Sequence, residues 1–407
     1  MKKKIAVGQM QVGMFLQSMC GSWTQHPFVR SSFLMKDPHD VRLLVESGIA
    51  EVWIDTSKGS DVPAAATEPV EAAEVMVAAT SSPVALAAPA VPALTATLAI
   101  EIVQARKICA QARESVVSMF QEARMGQAVS AEAAGSLVEE ISSSVSRNAG
   151  AIISLARLKT ADDYTYMHSV AVCAMMVSLA RTLGHDEGQV REAGMAGLMH
   201  DLGKALVPAE ILNKPGKLTD DEFGVVKSHP ERGHALLVEG GAASEIVRDV
   251  CLHHHEKIDG SGYPHRLKGD AISIVAKMGA ICDVYDAITS NRPYKAGWEP
   301  AQSIKKMTAW CNGHLDEAVF HAFVKSIGIY PVGSLVRLTS GRLAVVLEQS
   351  RKSLLTPLVK VFHSGQSQVQ LKHELVDLAY SGPNEKIVSI ESPEKWGIKH
   401  LEKLWME

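Results

Sequence analysis

Along the first 56 residues, short apolar runs alternate with polar and turn-forming positions. Ile5 to Val7 and Val52 to Ile54 have the character of strands. Asp37 to Gly48 opens on acids, carries apolar residues at helical spacing and closes on glycine. A small α+β module over residues 1–56 is the prediction. Within it Trp23, His26, Phe28 and Phe33 surround Arg30; the bias of aromatics toward burial makes them core residues before it makes them a ligand surface. From Ser57 to about Ala96 the pattern lapses into Ala, Val, Pro, Thr and Glu, with five prolines and no aromatic residue. Such a stretch cannot bury enough surface to hold one conformation, which predicts a flexible linker over 57–96.

Helical periodicity returns at Thr97. Ile100, Val103, Ile108 and Ala112 recur at three- and four-residue steps before Val116 and Phe120. A second helix is expected over Ala131 to Ile141, with the polar stretch SSSVSRN as a boundary, giving connecting helices over 97–160. Long helices between modules either pair between subunits, which would make a homodimer, or pack on the next domain; the pattern serves both readings equally.

Residues 161–329 read as helix after helix: Tyr164 to Leu183, Glu187 to Leu202, Thr219 to Leu237, Ala243 to His254, Ile272 to Ser290 and Pro300 to Cys311. The absence of an alternating strand run makes this segment all-helical. After Tyr330 the pattern switches to β-branched runs joined around Ser340-Gly341, with LLTPLVKVF as a third strand. A small β-rich extension over 330–407 follows, so the fold class is mainly α.

Composition narrows the function classes. The 407 residues bury a large core without a staple, and a formal charge of −4 gives no general attraction to nucleic-acid polymers or anionic membranes. Six scattered cysteines without a C-x-x-C pair fit reduced thiols better than a disulfide framework. The lysines at the N-terminus are followed by Gly8, Gln9, Gln11 and Gly13, unlike a signal peptide. The most apolar stretch, Val84 to Val103, contains Pro89, Pro92 and Glu101, a poor membrane span. The expected location is the cytoplasm.

Candidate chemistry concentrates in the helical segment. His253 to Pro264 reads HHHEKIDGSGYP, and clustered neutral imidazoles suit borderline metals better than an apolar core. His168, His200, Asp201, His229, His254, His255 and Asp283 recur where predicted helices begin or end, as ligands of bundle metal sites do. Seven donors exceed one zinc and suit two metals sharing a bridging carboxylate. Alone, each histidine is more ordinarily a surface or core residue than a ligand; their order and adjacency change that balance.

These residues carry a resemblance to a known family. His200-Asp201-Leu202-Gly203-Lys204 resembles the H-D-x-G-K signature of HD-GYP domains, and His254 to Pro264 resembles H-H-E-x-x-D-G-x-G-Y-P at every fixed position. YTYMHS ending at His168 and Ser169, SHPERG with His229, and DVYDAITSNRPY from Asp283 to Tyr294 follow the same family order. The resemblance covers roughly Ala161 to Ile329. The N-terminal GSWTQHPF and GIAEVWID resemble a small domain often found ahead of HD-GYP domains, a likeness that implies no function for it; its place ahead of the linker makes it a sensory or docking module, where signalling proteins would bind.

What the resemblance implies is hydrolysis of cyclic di-GMP to linear pGpG, in some members on to GMP. His168, His200, Asp201 and Asp283 would hold one divalent metal, and Asp201, His229, His254 and His255 the other; iron or manganese is the family expectation. A bridging water would lose a proton and attack in line, with Lys204 stabilising the transition state beside Asp201. Tyr263 would present its ring to a guanine or its hydroxyl to phosphate, in a turn shaped by Gly260 and Gly262. Glu256 and Asp259 would secure that turn, and His253 falls outside the signature. Arg292 and Lys295 occupy positions that lie near substrate in the family. A third metal in some members uses a glutamate where this chain has Tyr164; two metals are therefore expected, with Asp162 as a substrate contact. Rival readings are a non-hydrolysing cyclic di-GMP receptor and an HD-type phosphohydrolase of another nucleotide.

Overall fold

The computed structural model describes residues 2–19, 32–36, 38–46, 49–61, 96–127, 129–158, 164–214, 216–241, 243–290, 297–350, 352–381 and 385–406. Asp162, Arg292 and Lys295 lie outside them, as do the surroundings of Trp23 and Arg30 and linker residues 62–95. The chain divides into two compact units, Met1–Ala93 and Leu94–Glu407.

The first unit contains β1 (Lys2–Ala6), β2 (Phe15–Met19), β3 (Phe33–Leu34), α1 (Pro38–Glu46) and β4 (Glu51–Asp55). The antiparallel sheet has the order β1-β4-β2-β3, with Ile5 opposite Val52. Leu16, Val52 and Ile54 bury one face with Met14, Met35 and Leu44. This is the α+β module expected from the pattern, enlarged by β2 and β3. Its boundary lies beyond Thr56, because Ser60 donates its backbone N–H to Gly13 O at 2.7 Å and Lys3 pairs with Asp61 at 2.8 Å.

The second unit opens with α2 (Leu98–Arg124) and α3 (Ala131–Arg157), antiparallel partners that also pack on α4 (Tyr164–Thr182). Intramolecular packing is thus observed for the connecting helices. Helix α3 runs sixteen residues past the expected end at Ile141, because the serine-rich stretch is an interior polar seam. Ser144 donates to Glu101 Oε1 at 2.7 Å, and Arg147 donates to the same carboxylate at 2.6 and 2.9 Å. A buried carboxylate with these donors is satisfied, so polar residues continue the helix rather than end it. The sequence break appears as a local kink at Asn148, with φ −162° and ψ 99°.

Helix α4 is buried on nearly every side from Val170 to Ala180, so it forms the centre of the bundle. The helices that follow are α5 (Glu187–Met199), α6 (Ala209–Leu212), α7 (Asp220–Lys227), α8 (His229–Glu239), α9 (Glu245–His253), α10 (Ile274–Thr289), α11 (Pro300–Trp310) and α12 (Glu317–Ile327), of which α5, α10 and α12 pack on α4. The single helix expected over Thr219 to Leu237 is divided between α7 and α8. Pro230 has no N–H to give the Val226 carbonyl four residues back. The His229 ring takes that carbonyl instead, at 2.7 Å from Nδ1. Helix α12, absent from the sequence expectation, is capped by Asp316, which accepts the Val319 N–H at 3.0 Å.

The extension is a five-stranded antiparallel sheet of β5 (Leu335–Leu338), β6 (Arg342–Glu348), β7 (Leu358–Ser364), β8 (Val369–Asp377) and β9 (Ile387–Ile390), ordered β8-β7-β6-β5-β9 and followed by α13 (Glu402–Met406). Three strands were legible in the pattern. Strand β8 was not, because its outward positions are mostly exposed and polar. Among the described residues no helix is long and apolar enough to cross a membrane.

Candidate metal centre

The seven donors named from the sequence converge in two groups: His168, His200 and Asp283; and Asp201, His229, His254 and His255. Within each group the candidate ligand atoms lie within 4.8 Å of one another. Helix ends account for much of the placement. His200 and His254 cap α5 and α9, where last-turn carbonyls keep lone pairs free for a side-chain donor. The rings use them: His200 Nδ1 lies 2.8 Å from Gly197 O, and His254 Nδ1 lies 3.0 Å from Val250 O, which also accepts the His254 backbone N–H, and 3.1 Å from Cys251 O. With His229 on Val226, three rings are fixed in the same way. A carbonyl only accepts, so each Nδ1 carries the hydrogen and each neutral ring turns a bare Nε2 inward.

Those nitrogens meet one carboxylate from two sides. Asp201 Oδ2 is 3.3 Å from His168 Nε2 and 3.3 Å from His200 Nε2, while Oδ1 is 3.2 Å from His229 Nε2 and 3.7 Å from His254 Nε2. Asp283 closes the first group, its Oδ1 lying 3.1 Å from His168 Nε2, and its Oδ2 approaches His255 Nδ1 at 3.7 Å. Facing nitrogens are 3.2 Å apart between His168 and His200 and 3.4 Å between His229 and His254. Asp201 Oδ1 is buried without a hydrogen-bond partner among the described residues. Bare nitrogens of His229 and His254 facing each other and Asp201 Oδ1 repel unless a cation stands among them, and the anionic Asp201 and Asp283 favour positive charge beside His168 and His200; nitrogen and oxygen donors of this kind fit divalent transition metals.

The electrostatics agree with that fit. Burial alone would raise the Asp201 pKa, but Lys204, His200 and the His168 bond hold it well below the usual carboxylate range. Asp283 is likewise held low against burial by His168 and His255. Burial lowers His229, and burial together with His254 lowers His255 far below the ordinary histidine value, leaving both neutral and able to ligate. Burial also opposes a charge on His168, yet Asp201, Asp283 and Asp286 push it up to about 10, which marks where positive charge is favoured.

Two glycines make the convergence sterically feasible. A Cβ on Gly203 would stand 1.9 Å from His229 O and 2.6 Å from Gly233 N, and one on Gly233 would meet Cys251 Sγ at 2.7 Å. The turn after Asp201 therefore presses directly onto the first turn of α8. Gly203→Ala is expected to cost about 2–3 kcal/mol through overpacking and to part His229 from Asp201. Denaturant unfolding and metal content per chain check this; an alanine variant with wild-type values in both would remove the close approach from the account.

On the open side, Lys204 Nζ lies 2.5 Å from Asp201 Oδ2, and its side chain is 22% exposed. The Asp259–Pro264 turn is held as the sequence reading anticipated. Glu256, buried, accepts the His265 N–H at 2.7 Å and the Leu267 N–H at 3.0 Å; Asp259 accepts the Ser261 N–H at 2.8 Å. Gly260 has φ +81°, and a Cβ on Gly262 would lie 2.4 Å from Lys257 N. Tyr263 is half-buried with its ring 4.7 Å from that of His255. Burial raises its pKa further above the phenol range, so the hydroxyl stays a donor. His253 points away and donates from Nδ1 to Asp249 at 2.7 Å. Sequence reasoning missed Asp286, whose Oδ2 lies 2.6 Å from His168 Nδ1. Its three-residue spacing from Asp283, one turn along the same helix, was the available signal.

Fold and centre together define a helical, divalent-metal phosphohydrolase domain. Residues 144–319 match the family described as HD domain, and residues 2–134 match one described as a domain of unknown function. A curated cyclic di-GMP phosphodiesterase of Pseudomonas aeruginosa is 54% identical over 406 residues, spanning 100% of this chain and 96% of that protein. A cyclic di-GMP phosphodiesterase response regulator of Xanthomonas campestris is 46% identical over 123 residues, 30% of this chain and 32% of its own. A 3'3'-cGAMP-specific phosphodiesterase of Vibrio cholerae is 35% identical over 166 residues, 40% of this chain and 38% of its own. The chain belongs to the HD-GYP family of HD-domain phosphodiesterases.

Proposed function

We propose that this chain hydrolyses cyclic di-GMP to linear pGpG, with GMP as the product of a further hydrolysis at the same centre. The observation that carries the reading is Asp201, whose two oxygens serve two separate groups of donors. His168, His200 and Asp283 would hold one divalent cation with Asp201, and His229, His254 and His255 the other. Iron or manganese is the proposed identity, supported by nitrogen- and oxygen-rich donors. Bound there, the cations supply a water-derived nucleophile at neutral pH and positive charge opposite the phosphoryl oxygens.

The protein's own groups supply the rest. Lys204 brings a mobile ammonium to the same edge, where charge develops on the phosphate oxygens. Tyr263 offers a hydroxyl that stays protonated and a ring face for a guanine. From their motif positions, Arg292 and Lys295 are assigned to the second phosphate or a guanine edge, and Asp162 to a substrate contact. The N-terminal module is assigned to sensing or docking a signalling partner. A homodimer would use the outer face of α2, where Ile100 and Val103 are exposed. The free cysteines among the described residues agree with a cytoplasmic setting.

The full-length relative favours cyclic di-GMP over 3'3'-cGAMP, for which the resemblance is confined to part of the chain. Full-length protein loaded with iron or manganese is expected to convert cyclic di-GMP to pGpG or GMP, followed by chromatography. Tight binding with no product under either metal would make it a receptor instead. A higher kcat/KM for 3'3'-cGAMP would reassign the substrate.

A further inference from the structure

The histidines of the centre do not share the same outer partner. His200, His229 and His254 each give Nδ1–H to a backbone carbonyl of their own turn, an uncharged acceptor. His168 instead faces a carboxylate, with Nδ1 2.6 Å from Asp286 Oδ2, both side chains buried. Asp286 is itself oriented, its Oδ1 accepting from Ser290 Oγ at 3.1 Å. Helix α10 therefore holds one ring at both nitrogens, Asp283 at Nε2 and Asp286 one turn later at Nδ1.

A charged acceptor makes a stronger bond to the ring N–H than a carbonyl does, fixes the ring more firmly and raises electron density at the opposite nitrogen. We propose that Asp286 is a positioning residue that makes the His168 side of the centre the tighter of two unequal metal sites. This rests on the two-metal reading above. The first equivalent of metal enters among His168, His200, Asp283 and Asp201 Oδ2. The second enters among His229, His254, His255 and Asp201 Oδ1, where His229 and His254 lean on neutral carbonyls and the His255 side chain is partly exposed.

Calorimetric titration of chelator-stripped full-length protein with Mn2+ tests the assignment. The wild type should show two steps, the tight one lost in His168→Ala and the weak one lost in His229→Ala. Asp286→Asn keeps an acceptor of nearly the same shape but removes the charge. It should weaken the tight step by about 10–100-fold and leave the weak step in place. An unchanged tight step, or equal weakening of both steps as a general loosening would give, overturns the proposal. Should the variant not fold, zinc-loaded wild type still decides: by histidine NMR the Nδ1–H of His168 should lie downfield of those of His200, His229 and His254. A His168 signal among the carbonyl-bonded ones overturns it as well. Wild type that binds no divalent metal would instead defeat the two-metal reading itself.

Discussion

Asp201→Ala is expected to empty both metal positions and to end turnover with them. This carboxylate is fully buried, and each of its oxygens faces histidine nitrogens of a different group. Its removal leaves each group of imidazoles without the anion that offsets a cation's charge. Metal contributes several kcal/mol to such a phosphoryl transfer, so the rate should fall by about 10^4-fold or more, at roughly tenfold for each 1.4 kcal/mol. Elemental analysis and pGpG formation on the same sample make the check. Two metals per chain in this variant would show that Asp201 bridges nothing, whatever happened to the rate.

The second large effect is expected from Lys204→Ala, with the opposite metal result. The ammonium contacts Asp201 Oδ2 but comes from a partly exposed side chain on the open edge of the centre. Its proposed work is electrostatic, on charge that develops only as the phosphodiester reacts. Loss of one such donor costs about 10^2–10^3-fold in kcat, with KM little changed and both metals retained. Lys204→Arg, which keeps the charge, should recover part of the rate. Metal loss in Lys204→Ala would show that the lysine mainly holds Asp201 in place. An unaltered kcat would remove it from the mechanism.

These predictions concern residues found by different routes. Asp201 and Lys204 were visible as a five-residue motif, and the remaining donors as histidines and an acid at predicted helix ends. Part of the reason they could be read is local. Pro230 frees the carbonyl that turns His229, and the ends of α5 and α9 supply the carbonyls that turn His200 and His254. Asp286 could not be read as a partner of His168, because they are separated by 118 residues and meet only when α10 packs on α4. The serine-rich part of α3 misled for a similar reason. A polar run looks like a boundary until Glu101, on another helix, is seen to accept from Ser144 and Arg147.

The sequence by itself determined the mainly helical class, the small modules at either end, and the identity and order of the chemistry-bearing residues. Those features are encoded over a few residues at a time, in periodicity, caps, prolines and short motifs. Only the tertiary structure decided that Asp201 turns one oxygen to each group, that Gly203 lets the Asp201 turn meet α8, and that His168 hydrogen-bonds a carboxylate through Nδ1 where His200, His229 and His254 hydrogen-bond backbone carbonyls. Each depends on distances between segments far apart in the chain, set by packing density and side-chain direction rather than by local pattern. Local chemistry supplied the ligands; packing made the two sides of the centre unequal.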